Sequence, residues 1–159
     1  MKASRVVNVV VAGVGGQGVL TCSDILAEAA FRTGVDVKKA EVHGMSQRGG
    51  SVACDVRFGP KVYSPMVPQG QADYLLVLSE DQVDVARCAL AETGMLLTPA
   101  DVDGEALENK RSLNVALLGR LSRELDIPEA HWHEAIRAVL EARLHEVNLR
   151  AFRIGRDGA

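Results

Sequence analysis

Apolar residues run almost without interruption through the first predicted strand, at residues 6–12. Such a β-branched run is typical of a strand that is covered on both faces of a sheet. Residues 19–33 then space their apolar positions along one face of a helix, which Gly34 ends. Residues 35–42 return to a strand pattern. The order predicts a β-α-β unit whose two strands run parallel and are joined by a right-handed crossover.

A strict alternation of apolar and polar residues follows at 52–58 and predicts a half-exposed strand. The turn at residues 59–61 leads into Val62 and Tyr63, which predicts a hairpin. Residues 74–78 and 95–98 have strand patterns, and residues 81–91 have a helical one. We therefore expect an α/β fold with a Rossmann-like, doubly wound, mostly parallel sheet and an inserted β-hairpin.

Helical spacing dominates the rest of the chain, at residues 112–125 and, after Pro128, at residues 129–144. The segment 148–155 is too apolar for a freely solvated tail, so we expect it to pack on the domain or on a partner. A chain of 159 residues is long enough for one well-formed core. We expect a single domain over residues 1–159, with a helical C-terminal part and residues 145–159 as a packed tail.

A glycine-rich loop directly follows the first strand and opens the first helix. The residues of this first glycine loop that we expect to bind a ligand are Gly13, Gly15, Gly16, Gln17 and Gly18. Their spacing brings the free amides of a helix N-terminus close to a phosphate, although the same turn can also serve as a bare connection. A dinucleotide site needs an acid at the end of the second strand. Lys38 and Lys39 occupy that neighbourhood and Glu41 is the one acid near it, so NAD fits poorly.

A second glycine loop, at residues 43–51, carries an arginine toward the same edge of the sheet. Its candidate binding residues are Ser46, Gln47, Arg48, Gly49 and Gly50. A guanidinium pairs with phosphate or carboxylate through two N–H groups, and the serine and glutamine add neutral donors. A local ion pair of Arg48 with Asp55 or Glu41 is the alternative that the residues leave open.

Composition narrows the classes of function. The chain has 18 Lys and Arg against 21 Asp and Glu, a net charge of −3 and only 4% aromatic residues, which argues against a nucleic-acid-binding protein. No apolar stretch approaches the roughly 20 residues of a membrane span, and the N-terminus has no secretory pattern, so we expect a cytoplasmic chain.

Metal sites and catalytic groups are not predicted. The cysteines, Cys22, Cys54 and Cys88, are scattered without the spacing of a metal or iron–sulfur site. His131 and His133 are two residues apart on a predicted helix, so their imidazoles face different ways, and packing is the better interpretation. The chain has no recognisable catalytic triad.

The order of three segments resembles a known family. These are the first glycine loop with its flanks at 12–19, the stretch KAEVHGMSQRGGSV at 39–52, and the ending NLRAFR at 148–153. Over nearly its whole length the chain resembles the gamma-type domain of the 2-oxoacid:ferredoxin oxidoreductases, in the stand-alone form of the beta subunits of indolepyruvate ferredoxin oxidoreductases.

The resemblance implies an oxidoreductase complex that decarboxylates an aryl 2-oxoacid on thiamine diphosphate. Electrons pass through iron–sulfur clusters to ferredoxin, and the acyl group goes to coenzyme A. It further implies that thiamine diphosphate and the clusters belong to a large alpha subunit, whereas this chain binds no cofactor alone and is inactive alone. The implied assembly is a cytoplasmic hetero-oligomer of alpha2beta2 composition, without a nucleic acid or membrane partner.

Two roles that do not exclude each other follow for the glycine loops. They receive the phosphates of coenzyme A or another ligand, or they dock against the alpha subunit and close its active site. We favour docking with a share in the coenzyme A site. Two other classes of function stay open, namely a free-standing NAD- or flavin-binding oxidoreductase and a non-catalytic regulatory or scaffold protein.

Overall fold

The structure, a computed structural model, describes residues 4–43 and 50–158, and of His43 only the backbone. Within these ranges the strands are β1 (Val7–Val14), β2 (Asp36–His43), β3 (Ser51–Gly59), β4 (Ala72–Val77) and β5 (Leu90–Leu97). The helices are α1 (Val19–Phe31), α2 (Val83–Ala86), α3 (Leu113–Leu121), α4 (Glu129–Val139) and α5 (His145–Asp157). Short 3-10 turns join several of these elements.

The sheet is mixed, with the strand order β2-β3-β1-β4-β5. Strand β1 is parallel to β4, and β4 is parallel to β5, whereas β3 is antiparallel to both of its neighbours, β1 and β2. The prediction of a mostly parallel sheet is therefore wrong. The chain returns from β2 to β3 through the short connection 44–50, which permits only an antiparallel return. As a result β1 and β2 run in the same direction, as expected, but β3 lies between them.

The hairpin lies elsewhere than predicted. Residues 62–63 form no strand, because the Val62 amide donates to a carboxylate oxygen of Asp36 at 2.8 Å. The guanidinium of Arg57 donates to the carbonyl of Ser64 at 2.8 Å, so residues 60–71 cross the sheet as a loop. The antiparallel hairpin is instead β2–β3, and the second glycine loop forms its connection.

Helix α1 keeps the predicted limits closely. It begins after Gly18, whose φ of 81° suits glycine, and it ends at Phe31. Gly34 follows with a φ of 88° and donates its amide to the Phe31 carbonyl at 2.9 Å. The predicted helix at 81–91 is shorter in the structure, because α2 has 3-10 turns on both sides and β5 already begins at Leu90.

The two faces of the sheet are covered unequally. On one, which we call the helical face, Val9 and Val11 of β1 are fully buried in a large cluster with residues of α1, α3, α4 and α5. On the other, the open face, Val10 and Ala12 belong to a smaller cluster whose cover comes from Val67 and from residues 83–89. The fold thus has one complete helical layer and one thin layer.

Helix α5 packs across α3 through two glycines. A Cβ atom on Gly155 would lie 1.7 Å from the Ala116 carbonyl oxygen, and one on Gly119 would lie 2.0 Å from the Phe152 carbonyl oxygen. The same helix buries Phe152 against Trp132 of α4, with ring centroids 5.7 Å apart. Among the described residues, no helix has the length and apolarity that a bilayer crossing requires.

Candidate functional site

The first glycine loop turns the chain sharply from β1 into α1. The Gln17 amide donates to the Val14 carbonyl at 3.2 Å, and the Gln17 side-chain oxygen accepts from the Val14 amide at 2.8 Å. Gly16 and Gly18 have φ values of 89° and 81°, which favour glycine. Gly13 is needed for space instead, since a Cβ there would lie 2.7 Å from the Gln17 side-chain oxygen. The backbone conformation therefore favours glycine at Gly16 and Gly18, and the limited space favours it at Gly13.

The N-terminus of α1 has no side-chain cap within the part of the chain that the structure describes. There, no side chain accepts a hydrogen bond from its first turn, and that turn contains no acidic residue. The first intrahelical bond runs from the Cys22 amide to the Gly18 carbonyl at 2.9 Å, so the amides before Cys22 have no helical acceptor. Free amides at the positive end of a helix dipole favour an anion.

The second glycine loop reaches the first through its last two residues. The Gly50 carbonyl accepts a hydrogen bond from the Gly15 amide at 3.1 Å, and Ser51 pairs with Val14 in the sheet register. Both loops therefore start at one edge of the sheet, as the sequence predicted. Ser46, Gln47, Arg48 and Gly49 lie outside the described residues, and their part in the site stays a prediction.

A cleft of about 580 Å³ opens beside the first glycine loop. Its other wall is the start of α3, together with the residues Lys110 and Arg111 that lead into it. The Lys110 ammonium is already engaged, because it donates to the Gly104 carbonyl at 2.6 Å and lies 3.3 Å from the Glu105 carboxylate. The Arg111 guanidinium has no partner among the described residues. A cation is thus available opposite the free amides of α1.

Asn114 holds the two helix N-termini together across this cleft. Its side-chain N–H donates to the Gly18 carbonyl at 3.2 Å, and its side-chain oxygen accepts from the Val115 amide at 2.9 Å. The residue is only 7% exposed. The amides that open α3 are already engaged, since the Leu113 amide donates to the Lys110 carbonyl and the Arg111 amide donates to the Asn109 side-chain oxygen at 3.0 Å. The uncapped start of α1 and the guanidinium of Arg111 therefore share one cleft.

Sequence reasoning missed this second wall. No pattern in residues 101–114 linked Arg111 or Asn114 to the first glycine loop. The available signal was local: two adjacent cations directly before a serine and a helical apolar pattern, where acids are the usual occupants. Arg111 and Asn114 are far from Gly18 in the sequence, and only the folded chain places α3 beside α1. The sequence therefore does not indicate this contact.

The histidines of α4 form no metal site in the structure. The His133 imidazole packs edge-on against Phe152 and lies 3.3 Å from the Glu129 carboxylate. Burial lowers its pKa, and the charges of Arg137, Arg153 and Arg156 lower the pKa further. Across the described part of the chain, no three His, Cys, Asp or Glu side chains cluster closely enough to hold a metal ion.

The cysteines are equally dispersed. Cys22 and Cys54 are fully buried on the helical face, whereas Cys88 is exposed on the other side of the sheet. Burial raises the pKa of the Cys22 thiol strongly, and Cys54 raises it further, which makes this thiol unreactive.

The chemistry that the cleft residues can perform is the binding of an anion, since the lining of the cleft holds glycines, amides and cations.

The chain is similar to known proteins over almost its whole length. Residues 8–158 match the family model described as pyruvate ferredoxin/flavodoxin oxidoreductase. Among curated proteins, the chain is 36% identical to the "Indolepyruvate oxidoreductase subunit IorB" of Thermococcus kodakarensis, over 93% of each chain. It is 32% identical to the protein of the same description from Archaeoglobus fulgidus, over 96% of this chain and 94% of that one.

Among solved structures, the fold is similar to the gamma subunit of a keto/oxoacid ferredoxin oxidoreductase from Geobacter sulfurreducens. The TM-score is 0.81 at 22% identity, over 95% of this chain and 96% of that one. The fold also matches a 2-oxoglutarate:ferredoxin oxidoreductase from Magnetococcus marinus, with a TM-score of 0.79 at 19% identity. That match covers 97% of this chain but only 31% of the other chain. With a family model that spans almost all of it, the chain belongs to the pyruvate ferredoxin/flavodoxin oxidoreductase family.

Proposed function

We propose that the chain is the small subunit of an indolepyruvate oxidoreductase complex and completes the active site of a larger, cofactor-bearing subunit. The identity to the Thermococcus subunit, over nearly the full length of both chains, supports the assignment to this complex. The observation that carries the structural part is the cleft where the uncapped start of α1 and Arg111 converge. This arrangement binds an anion but holds no group that breaks a carbon–carbon bond.

The redox and decarboxylation chemistry must then come from the partner. Thiamine diphosphate and iron–sulfur clusters supply, respectively, a carbanion sink for decarboxylation and an electron relay. The three cysteines of this chain do not fit a cluster, because two are buried on the helical face and the third lies across the sheet. We therefore assign both groups to a large alpha subunit, with ferredoxin as the electron acceptor of the complex.

The anion that suits the cleft is a phosphate of coenzyme A. Coenzyme A supplies the thiol that accepts the acyl group, and the Magnetococcus enzyme of the same fold was solved with coenzyme A bound. In this chain the amides at the start of α1 would hold a phosphate, and Arg111 would pair with it through two N–H groups. Arg48, Ser46 and Gln47 of the second glycine loop are proposed to close over the same ligand.

A free-standing dinucleotide enzyme has less support. The acid that holds the ribose in such enzymes ends the strand next to β1. Here Glu41 lies on β2, and β3 separates that strand from β1. The acid is therefore not beside the glycine loop, and NAD has no second anchor at the expected position.

Reconstitution from separate subunits tests the proposed function. We expect indolepyruvate-dependent reduction of ferredoxin only when this chain and the large subunit are mixed, and not with either subunit alone. Full activity of the large subunit alone would favour a regulatory or scaffold role. Activity of this chain alone would contradict the proposal outright.

A pair of arginine variants tests the coenzyme A cleft. Arg111→Gln removes a charge-assisted phosphate contact, so we expect the KM for coenzyme A to rise about tenfold while kcat changes little. Arg48→Ala is expected to act in the same direction. The matched control is Arg123→Gln, an exposed arginine just beyond the end of α3 that lines no part of the cleft. Equal KM values for the Arg111 and Arg123 variants would show that Arg111 does not belong to the coenzyme A site.

A further inference from the structure

The open face of the sheet carries an apolar groove of about 290 Å³. We call it the open-face groove and define it by six of its lining residues: Val10, Ala12, Ala53 and Asp55 in its floor, and Val42 and Val85 on its rim. The floor residues belong to β1 and β3, whereas the rim comes from the end of β2 and from α2. The groove therefore lies where the thin layer of the fold leaves the sheet uncovered.

The rim exposes apolar surface that the described residues do not cover. Val42 is 46% exposed and Val85 is 60% exposed, and both border the same groove. Parallel strand pairs such as β1–β4 normally have both faces covered by other elements. An apolar surface of this kind, continuous with a buried cluster, marks an interaction site.

A carboxylate lies in the floor of this groove with only one of its two oxygens hydrogen-bonded by the described residues. Asp55 is 8% exposed, and one of its oxygens accepts from the Val67 amide at 2.8 Å. The other oxygen has no partner in the described structure. Arg57 is the nearest cation by sequence, but it donates to the Asn8 side chain at 2.8 Å and to the Ser64 carbonyl at 2.8 Å. A buried carboxylate of this kind favours a donor that is supplied from outside.

We propose that the open-face groove is a docking site for the large subunit, which inserts an apolar side chain with an adjacent N–H donor directed at Asp55. The donor would be a lysine, arginine or tryptophan side chain. This inference rests on the proposed function, because it takes the large subunit as the partner, and it adds the surface and the chemistry of the contact.

Two observations support the large subunit as the occupant. In the Magnetococcus enzyme the matching fold takes up only 31% of its chain, so there the same fold is covalently attached to a larger body. In addition, the groove extends toward the first glycine loop, which forms one wall of the proposed coenzyme A cleft. Ser51, which lines the groove, pairs with Val14 at the start of the first glycine loop. A subunit seated in the groove would therefore also lie beside that loop.

A second copy of the chain is a poorer occupant on electrostatic grounds. A twofold dimer through this groove would bring two Asp55 carboxylates into one apolar interface. The described lining residues contain no cation that would compensate them. A partner that brings its own donor avoids this cost.

Titration calorimetry of the purified large subunit with variants of this chain tests the proposal. Val85→Lys places an ammonium on the groove rim, at an exposed position where the fold tolerates it. We expect the Kd to rise about 30-fold or more, as at an interface hot spot. The matched control is Phe31→Lys, since Phe31 is 65% exposed at the end of α1, outside the groove. Its Kd is expected to stay within about twofold of that of the wild-type chain.

A third variant tests the donor. Asp55→Asn keeps an oxygen for the Val67 amide but removes the charge, so we expect the Kd to rise about tenfold, as for the loss of one charge-assisted contact. Circular dichroism and thermal unfolding of each free variant check that the fold is retained. A wild-type Kd for Asp55→Asn would overturn the assigned role of the carboxylate.

The outcomes separate this inference from the proposed function. If Val85→Lys and Phe31→Lys bind equally well, the groove is not the docking site, although the complex itself still forms. If the wild-type chain does not bind the large subunit, the proposed function fails first. If Val85→Lys instead abolishes a dimer of the free chain in sedimentation experiments, the occupant is a second copy and the proposal is wrong.

Discussion

The helical face and the open face of the sheet differ in how completely the chain covers them. On the helical face, α1, α3, α4 and α5 enclose a core in which Trp132 and Phe152 are fully buried. On the open face, α2 has only four residues, and the groove leaves Val85 exposed. The chain thus gains most of its burial from one face. We infer that the other face retains its apolar surface for association.

The largest effect is expected where the helical face is packed most closely. In Gly155→Ala the new Cβ would lie 1.7 Å from the Ala116 carbonyl oxygen and 2.7 Å from its carbon, both backbone atoms. Helices α3 and α5 must separate to admit it, which also disturbs the packing of Phe152. We expect a loss of about 3 kcal/mol or more in the free energy of unfolding, measured by urea denaturation.

Gly104→Ala is the matched control for this substitution. A Cβ on Gly104 meets no atom within 4 Å, and its backbone does not have a positive φ. We expect its free energy of unfolding to stay within about 0.5 kcal/mol of wild type. If Gly155→Ala were as stable as this control, the helical face would not be closed as the structure describes it.

A smaller loss of stability is expected at the first glycine loop, which lies at the edge of the sheet. Gly18→Ala forces a φ of 81° on alanine and brings a Cβ within 2.5 Å of the Asn114 side-chain nitrogen. Gly16→Ala has a similar φ of 89° but open space around it. We expect losses of about 2 kcal/mol and about 1 kcal/mol, respectively, from thermal unfolding of both variants. Equal losses would mean that the close contact of the new Cβ with Asn114 adds nothing to the loss of stability from backbone strain.

The sequence predicted the local features of the fold better than the order of its strands. The continuous apolar run of β1, the glycine at which α1 begins and the alternation of β3 were all readable, because each depends on neighbouring residues. The position of β3 between β1 and β2 was not, since the same period-two pattern suits any half-covered strand. The length of the connection 44–50 was the available clue, because a short link between adjacent strands requires an antiparallel return.

The candidate site was half predicted for a similar reason. Gly16 and Gly18 belong to a spacing whose geometry is local, so the first glycine loop could be predicted as a candidate anion-binding turn. Arg111 and Asn114 reach that loop only through the packing of α3 beside α1. No sequence pattern indicates a contact between residues so far apart in the chain. Asp55 was noted only as a possible partner of Arg48, whereas its hydrogen bond in the structure comes from the Val67 amide.

The smallest effect on stability is expected on the open face. Its change with pH has a characteristic sign. Burial raises the pKa of the Asp55 carboxyl, while the Val67 amide and the charge of Arg57 act in the opposite direction and only partly offset it. The folded chain therefore binds this proton more tightly than the unfolded chain does. The stabilisation is fully present below the unfolded pKa of about 3.9 and is lost as pH rises through the folded value.

Asp55→Asn removes this titration and keeps an acceptor for the Val67 amide. Above the folded pKa we expect the variant to be more stable than the wild-type chain. The two urea midpoints should converge as pH falls from about 8 to about 4. The same substitution is expected to weaken binding of the large subunit, so stability of the free chain and affinity should change in opposite directions. A carboxylate that destabilises the free chain but strengthens the complex is expected on a surface that a partner covers. If Asp55→Asn were less stable at neutral pH, the carboxylate would serve the free chain itself, and the open face would be complete without a partner.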